Sequence, residues 1–154
     1  PHLASSAASD VYKRQIVIRD FLDNVDEVLD FAETTPYHDY TYFTGVVFKG
    51  LRTPNLVELL PEIVDKINID TGSKPEKLYL HKHEDLKYFK HIPHVDISIK
   101  SGVIYLKGGQ GCGTIVEGKL QEYEFNKLIM YDANLLHQPE GFPEDRLVMT
   151  FFCK

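Results

Sequence analysis

Hydrophobic positions change their period once along this chain. Up to about residue 68 they recur mainly at helical spacing, and beyond residue 77 they fall in short alternating runs. Ile16-Val17-Ile18, followed by Phe21, reads as a short strand leading into a helix. Asp23 or Asn24 can cap that helix. Val25, Val28, Leu29 and Ala32 lie on one face and predict a helix over residues 24–34. Thr34-Thr35-Pro36 ends it. Residues 40–49, rich in Tyr, Phe, Thr and Val, predict a strand. Thr53 as cap and Pro54 at the first helical position predict a second helix. Leu56, Leu59, Leu60, Ile63, Val64 and Ile67 carry it to about Asn68, with Pro61 kinking or restarting it. Thr71-Gly72-Ser73 reads as a turn.

The remainder predicts strands. Leu78 and Leu80 alternate with Tyr79 and His81 over residues 77–83. Further strands are expected at 95–99, at 102–107 after a tight Ser101-Gly102 turn, and at 114–117. The set closes with 123–125, 128–131, 135–138 and 147–152. Gly108, Gly109 and Gly111 mark a loop. Two helices followed by seven or eight short strands is an α+β order, mainly β. It predicts a barrel or jelly-roll sandwich with both helices packed on one sheet. The mouth between two sheets would bring distant strands together.

Composition narrows the class. A length of 154 residues suits one domain, and 43% hydrophobic with 26% charged residues is ordinary for a globular fold. A net charge of −6 argues against general nucleic-acid binding. No apolar run approaches a membrane span. Cys112 and Cys153 have neither zinc-site nor disulfide-framework spacing, so free thiols in a reducing, cytoplasmic setting are expected. Residues 1–15 are Ala/Ser-rich, lack an initiator Met and carry no apolar core of a signal peptide. They resemble a translated sequencing-adapter tail of the kind found on metagenomic gene fragments. The single domain is therefore expected over residues 16–154, with its native start missing.

The candidate chemistry begins at His94-Val95-Asp96. In an extended strand, residues two apart point to one face, so an imidazole and a carboxylate would be presented together. His137, beside Pro139 and Gly141, supplies a third ligand if the sheet brings it back. Two His and one carboxylate are the facial ligand set of non-haem Fe(II) oxygenases. Arg146 starts the last strand, with Val148, Thr150 and Phe152 on its face. A guanidinium beside a hydroxyl suits a small carboxylate held bidentately. The plainer reading pairs Arg146 with Glu144 or Asp145 at the surface. His81, His83 and His91 are read as polar strand and loop residues, and Tyr79 as a packed aromatic. Gln138 is weighed as a minor substrate contact. The Gly108-Gly109-Gln110-Gly111 stretch is not a phosphate loop, because no helix follows it.

The segment from about Leu78 to Phe152 resembles the Fe(II)/2-oxoglutarate-dependent dioxygenases, in their prolyl-hydroxylase-like branch. His94-Val95-Asp96 looks like the family's metal-binding motif, and His137 matches its distal His. Ile104-Tyr105-Leu106 looks like the strand whose Tyr contacts 2-oxoglutarate. Gly111-Cys112-Gly113-Thr114 and Glu117-Gly118 are similar to the next turn and strand. Arg146 matches the residue that binds the cosubstrate's distal carboxylate, and Thr150 the hydroxyl assisting it. His91 and Val148 depart from residues found in some members. The resemblance implies a double-stranded β-helix. It also implies metal ligands His94, Asp96 and His137, and cosubstrate residues Arg146, Tyr105 and Thr150. Fe(II), 2-oxoglutarate and O2 would act together, hydroxylating a small molecule or peptide side chain and releasing succinate and CO2. The rivals are a cupin-like metalloprotein that does not use 2-oxoglutarate and a non-catalytic jelly-roll binding domain.

Overall fold

One antiparallel sheet divides the chain's apolar residues between its two faces, and each face builds its own core. The computed structural model describes residues 15–41, 47–83, 92–141 and 145–154. Its elements are β1 (Gln15–Ile18), α1 (Val25–Thr34), β2 (His38–Thr41), β3 (Val47–Arg52), α2 (Pro61–Thr71), β4 (Pro75–His83), β5 (Lys100–Lys107), β6 (Thr114–Val116), β7 (Lys119–Gln121), β8 (Leu128–Asp132), β9 (His137–Pro139) and β10 (Arg146–Cys153). Among the described residues the larger sheet runs β1-β8-β5-β10-β4-β3-β2 and the smaller β7-β6-β9. The chain is thus mainly β with two helices, and these strands form two sheets rather than one closed barrel.

The register explains the division. Val148, Thr150 and Phe152 of β10 lie opposite Tyr105, Val103 and Ser101 of β5. Across β4, Arg146, Val148 and Thr150 lie opposite His83, His81 and Tyr79. Directly opposed residues share a face, so this face is the mixed polar one. It carries the smaller core of Val103, Tyr105, Ile129, Tyr131 and Val148. The other face presents Leu78, Leu80, Ile104, Met149 and Phe151 to Val28 and Ala32 of α1 and Ile63, Val64 and Ile67 of α2. Each large apolar side chain fully buried there contributes roughly 1.5–3 kcal/mol. The helices do pack on one sheet, and they leave the opposite face to the pocket.

Several boundaries differ from expectation. The second helix begins at Pro61, not at Thr53-Pro54. Thr53 N–H donates to the Leu80 carbonyl and its Oγ1 accepts from Leu80 N–H, both at 3.0 Å. Leu56 N–H donates to the Leu78 carbonyl at 2.7 Å, and Asn55 Oδ1 accepts from Leu78 N–H at 3.1 Å. These bonds hold residues 53–56 along β4, so tertiary pairing overrides the local helix signal. Pro61 then takes the first helical position, and Gly72 closes α2 in the left-handed region at φ 77°. Asn24 stands at the cap of α1 without a side-chain cap bond. The strand expected over 40–49 falls partly in β2 and β3 and partly on residues 42–46, outside the described residues. No strand forms at 123–125, where the chain runs into a turn at Phe125-Asn126. The expected Ser101-Gly102 turn is instead inside β5. A Cβ on Gly102 would lie 2.0 Å from Phe151 Cζ, so glycine here admits an aromatic ring from the neighbouring strand. The described residues begin at Gln15, the last residue of the stretch read as a tail. That residue pairs with Tyr131.

Candidate metal centre

His94 and His137 meet through their backbones. Each N–H donates to the other's carbonyl, at 3.0 and 2.9 Å, as in a hydrogen-bonded antiparallel pair. Their rings therefore lie side by side, with centroids 4.4 Å apart. Asp96 N–H donates to the Ala133 carbonyl at 2.9 Å. Residues 94–96 are thus pinned against residues 133–137. The strand predicted over 95–99 is not formed: His94 makes a single bridge, and the chain bends through residues 97–99. Val95, Ile97 and Ile99 are exposed and offer no apolar face to hold a strand. The segment is the crossing from the smaller sheet, through β9, to β5 of the larger one.

The side chains converge. Asp96 Oδ2 lies 3.0 Å from His137 Nε2, and Oδ1 lies 3.7 Å from His94 Nε2. Ligand atoms of these three residues all fall within 4.8 Å of one another. His94 Nδ1 is 3.1 Å from the Ile92 carbonyl and His137 Nδ1 is 2.8 Å from the Leu135 carbonyl. A carbonyl only accepts, so Nδ1 carries a hydrogen and Nε2, which faces Asp96, is the atom each ring can offer to a metal in place of a proton. The Ser101 hydroxyl donates to Asp96 Oδ2 at 2.6 Å. Burial works to raise the Asp96 pKa, but the hydrogen bond and charge of His137, with Ser101, outweigh it and hold it below the usual range. Burial, with His137 nearby, lowers the His94 pKa. Neutral imidazole and ionised carboxylate are the forms that bind a metal. This donor set therefore fits a divalent ion with open coordination positions.

A cleft of about 650 Å3, including its open mouth, extends from this cluster across the polar face of the larger sheet. His94, Asp96, His137, Val103, Tyr131, Thr150 and Phe152 line it, as do Thr114 and Arg146. Arg146 is only 4% exposed, so the surface pairing weighed from sequence does not describe it; Asp145 is exposed, and Glu144 lies outside the described residues. Arg146 Nε donates to the Cys112 carbonyl at 2.9 Å, and Nη2 to Thr114 Oγ1 at 3.3 Å. The Tyr105 hydroxyl donates to the same Thr114 oxygen at 2.7 Å, and the Arg146 guanidinium lies 5.7 Å from the Tyr105 ring centre. Burial is the main influence on both: it lowers the Arg146 pKa and raises that of Tyr105. Thr150 Oγ1 is buried without a hydrogen-bond partner among the described residues. A buried guanidinium and a buried hydroxyl on one strand face, in a cleft that starts at a metal-ready cluster, fit a ligand bearing a carboxylate.

His94, Asp96 and His137 come together as the sequence suggested, and Arg146 and Thr150 share their cleft. Tyr105 is not among the residues lining it; its hydroxyl bonds Thr114 and lies against the Arg146 guanidinium. Thr114, Ser101 and Tyr131 were missed. Ser101 is in phase with Val103 and Tyr105 on β5, a pattern hidden by reading Ser101-Gly102 as a turn. The Tyr131 ring packs 4.8 Å from that of His137. Gln138 lines the cleft, as do His81 and His83, although neither of these histidines joins the metal cluster. Tyr79 is a buried strand aromatic, as expected. His91 lies outside the described residues.

No family model and no curated protein sequence matches this chain. Solved structures do. An oxidoreductase of the 2OG-Fe(II) oxygenase family from Burkholderia pseudomallei is 12% identical with a TM-score of 0.70, over 97% of this chain and 89% of that one. A prolyl hydroxylase from Trichoplax adhaerens, in complex with a hypoxia inducible factor oxygen degradation domain peptide, is 12% identical with a TM-score of 0.64, over 99% and 90%. HygX from Streptomyces hygroscopicus, with nickel and 2-oxoglutarate bound, is 12% identical with a TM-score of 0.62, over 90% and 81%. At these identities the likeness establishes the fold: the chain is built like the 2OG-Fe(II) oxygenases, prolyl hydroxylases among them. No helix among the described residues is long and apolar enough to cross a membrane.

Proposed function

We propose that this chain is an Fe(II)- and 2-oxoglutarate-dependent dioxygenase that hydroxylates a C–H bond of a small molecule or peptide side chain. The observation that carries the reading is the joint occupancy of one cleft by the His94–Asp96–His137 cluster and the buried Arg146. The two sheets correspond, in this reading, to the halves of a double-stranded β-helix with α1 and α2 on its outer face.

His94 and His137 would hold iron through Nε2, and Asp96 through a carboxylate oxygen kept in place by Ser101. Iron with 2-oxoglutarate and O2 supplies the oxidising power, and succinate and CO2 are the by-products. The protein's part is positioning. Arg146 would receive the distal carboxylate of 2-oxoglutarate, and the Thr150 hydroxyl would donate to the same group. Tyr105, through Thr114, would fix the guanidinium's orientation. The buried apolar wall of Val103 and Val148 would exclude water from the cosubstrate.

Anaerobic Fe(II) titration with and without 2-oxoglutarate tests this. A weak visible charge-transfer band is expected only with both present, abolished in His94→Ala and weakened in Arg146→Ala. Iron binding without that band would favour a cupin-like metalloprotein. Iron binding and the band without succinate formation on any substrate would favour a non-catalytic domain. Absence of iron binding in folded protein would refute the assignment.

A further inference from the structure

β8 places a phenol at the metal end of the cleft, and the reading so far gives its hydroxyl no role. Leu128 and Met130 of β8 join the core beneath the helices, whereas Ile129 and Tyr131 join the opposite one. Tyr131 lies opposite Ser101 of β5, the residue that donates to Asp96. Its ring packs on that of His137, with centres 4.8 Å apart. It lines the cleft and is only 4% exposed, so it belongs to the floor rather than the rim. Asp96 lies within electrostatic reach of its hydroxyl on one side, and Tyr105 and Arg146 on the other. The hydroxyl thus stands between the metal cluster and the guanidinium, on the cluster's side.

Packing alone would ask only for a phenylalanine here. The hydroxyls around it are used within the fold: that of Ser101 bonds Asp96, and that of Tyr105 bonds Thr114. The Tyr131 hydroxyl makes no hydrogen bond among the described residues. Burying such a group without a partner is unfavourable, and buried Tyr hydroxyls ordinarily find one. Facing the cleft, its partner is a bound ligand. A phenol donates well to an anion, and 2-oxoglutarate carries a carboxylate at each end. With the distal carboxylate at Arg146 and Thr150, the other end of the same molecule lies at the metal cluster, where Tyr131 is.

We propose, resting on the dioxygenase reading, that Tyr131 is a cosubstrate-binding residue whose hydroxyl donates to the metal-side carboxylate of 2-oxoglutarate. The two carboxylates of one dianion are then told apart by a neutral donor beside the metal ligands and a cation away from them.

The test compares the full parent chain with Tyr131→Phe under anaerobic conditions. Calorimetry reads the affinity of the Fe(II)-loaded protein for 2-oxoglutarate, absorbance reads the wavelength of the visible band, and denaturant reads the unfolding midpoint of the metal-free protein. Affinity for 2-oxoglutarate should fall by about fivefold or more, as on losing a hydrogen bond to a charged group. Fe(II) affinity without cosubstrate should change less than about twofold, because the variant keeps the ring against His137, and a hydrogen bond to bound cosubstrate adds nothing before the cosubstrate is present. The band should move to shorter wavelength in Tyr131→Phe and keep its position in Arg146→Ala, since only the metal-side end takes part in the transition. The metal-free midpoint should equal or exceed the parent's, because the hydroxyl bonds nothing in the fold. The proposal is overturned if 2-oxoglutarate affinity falls by less than that, if it falls while the band stays in place, if Fe(II) affinity falls as far, or if the midpoint drops. A variant that does not fold is the last of these outcomes, because the hydroxyl would then serve the fold. Absence of the band in the parent protein with iron bound would instead sink the underlying dioxygenase reading.

Discussion

The Ser101 hydroxyl donates to Asp96 Oδ2 at 2.6 Å, from a strand of the larger sheet to a bend that leads into it. Asp96 sits outside any strand, so its side chain needs this anchor more than a strand residue would. Ser101→Ala removes it without creating a large cavity. Fe(II) affinity should fall by roughly 10- to 100-fold, the usual effect of losing a bond that orients a metal ligand. Anaerobic titration of the folded variant measures it; unchanged affinity would show that the backbone pinning of residues 94–96 suffices.

Arg146→Ala should separate metal from cosubstrate. Truncating one partner of a buried, hydrogen-bonded charge pair costs about 2–5 kcal/mol. The half-saturating 2-oxoglutarate concentration should therefore rise by roughly 30-fold or more, with Fe(II) affinity in the absence of cosubstrate little changed. Equal 2-oxoglutarate affinity in parent and variant would exclude Arg146 from the cosubstrate site.

Gly102→Ala should destabilise the fold without touching the polar face directly. The new Cβ would meet the Phe151 ring at 2.0 to 2.5 Å, and that ring is fully buried beneath the helices. Overpacking of this kind costs about 1–3 kcal/mol or more. Denaturant unfolding should show a lower midpoint, and Phe151→Leu in the same chain should recover part of the loss by vacating the space.

His81 should make stability fall in acid. Burial first, then Arg52 and Arg146, depress its pKa in the folded protein from the ordinary 6.5 to about 3. Between those values the unfolded chain binds a proton that the folded chain refuses, so stability drops as pH falls through that window. The slope for this one group is on the order of 1 kcal/mol per pH unit. The stability difference between His81→Gln and the parent should change by that slope from pH 6.5 towards pH 4 and be flat above pH 7. A constant difference would show that His81 protonates freely.

Much of this was legible in the residues. The switch from helical to alternating periodicity after residue 68 is a local property, because each element's apolar side must meet a core. The α+β, mainly β order, the helix at 25–34 and the strands at 77–83 and 147–152 follow from it. The candidate ligands His94, Asp96 and His137, and Arg146 with Thr150, could be named because residue type and spacing suggest such chemistry and the resemblance to the dioxygenases matches each of them to a motif position. What the spacing could not convey is what holds them. The spacing predicts a strand through His94-Val95-Asp96, yet the segment is irregular chain held by backbone bonds to Ala133 and His137. Residues 53–56 carry a helix signal that pairing with β4 overrides. Ser101, Thr114 and Tyr131 reach the cleft only through register, since a one-residue shift in a strand turns every side chain to the other face. Local sequence determined which groups exist and which faces are apolar. Tertiary pairing alone decided which of them share a cleft, because hydrogen-bond register between distant strands is a property of the pair and is written in neither strand.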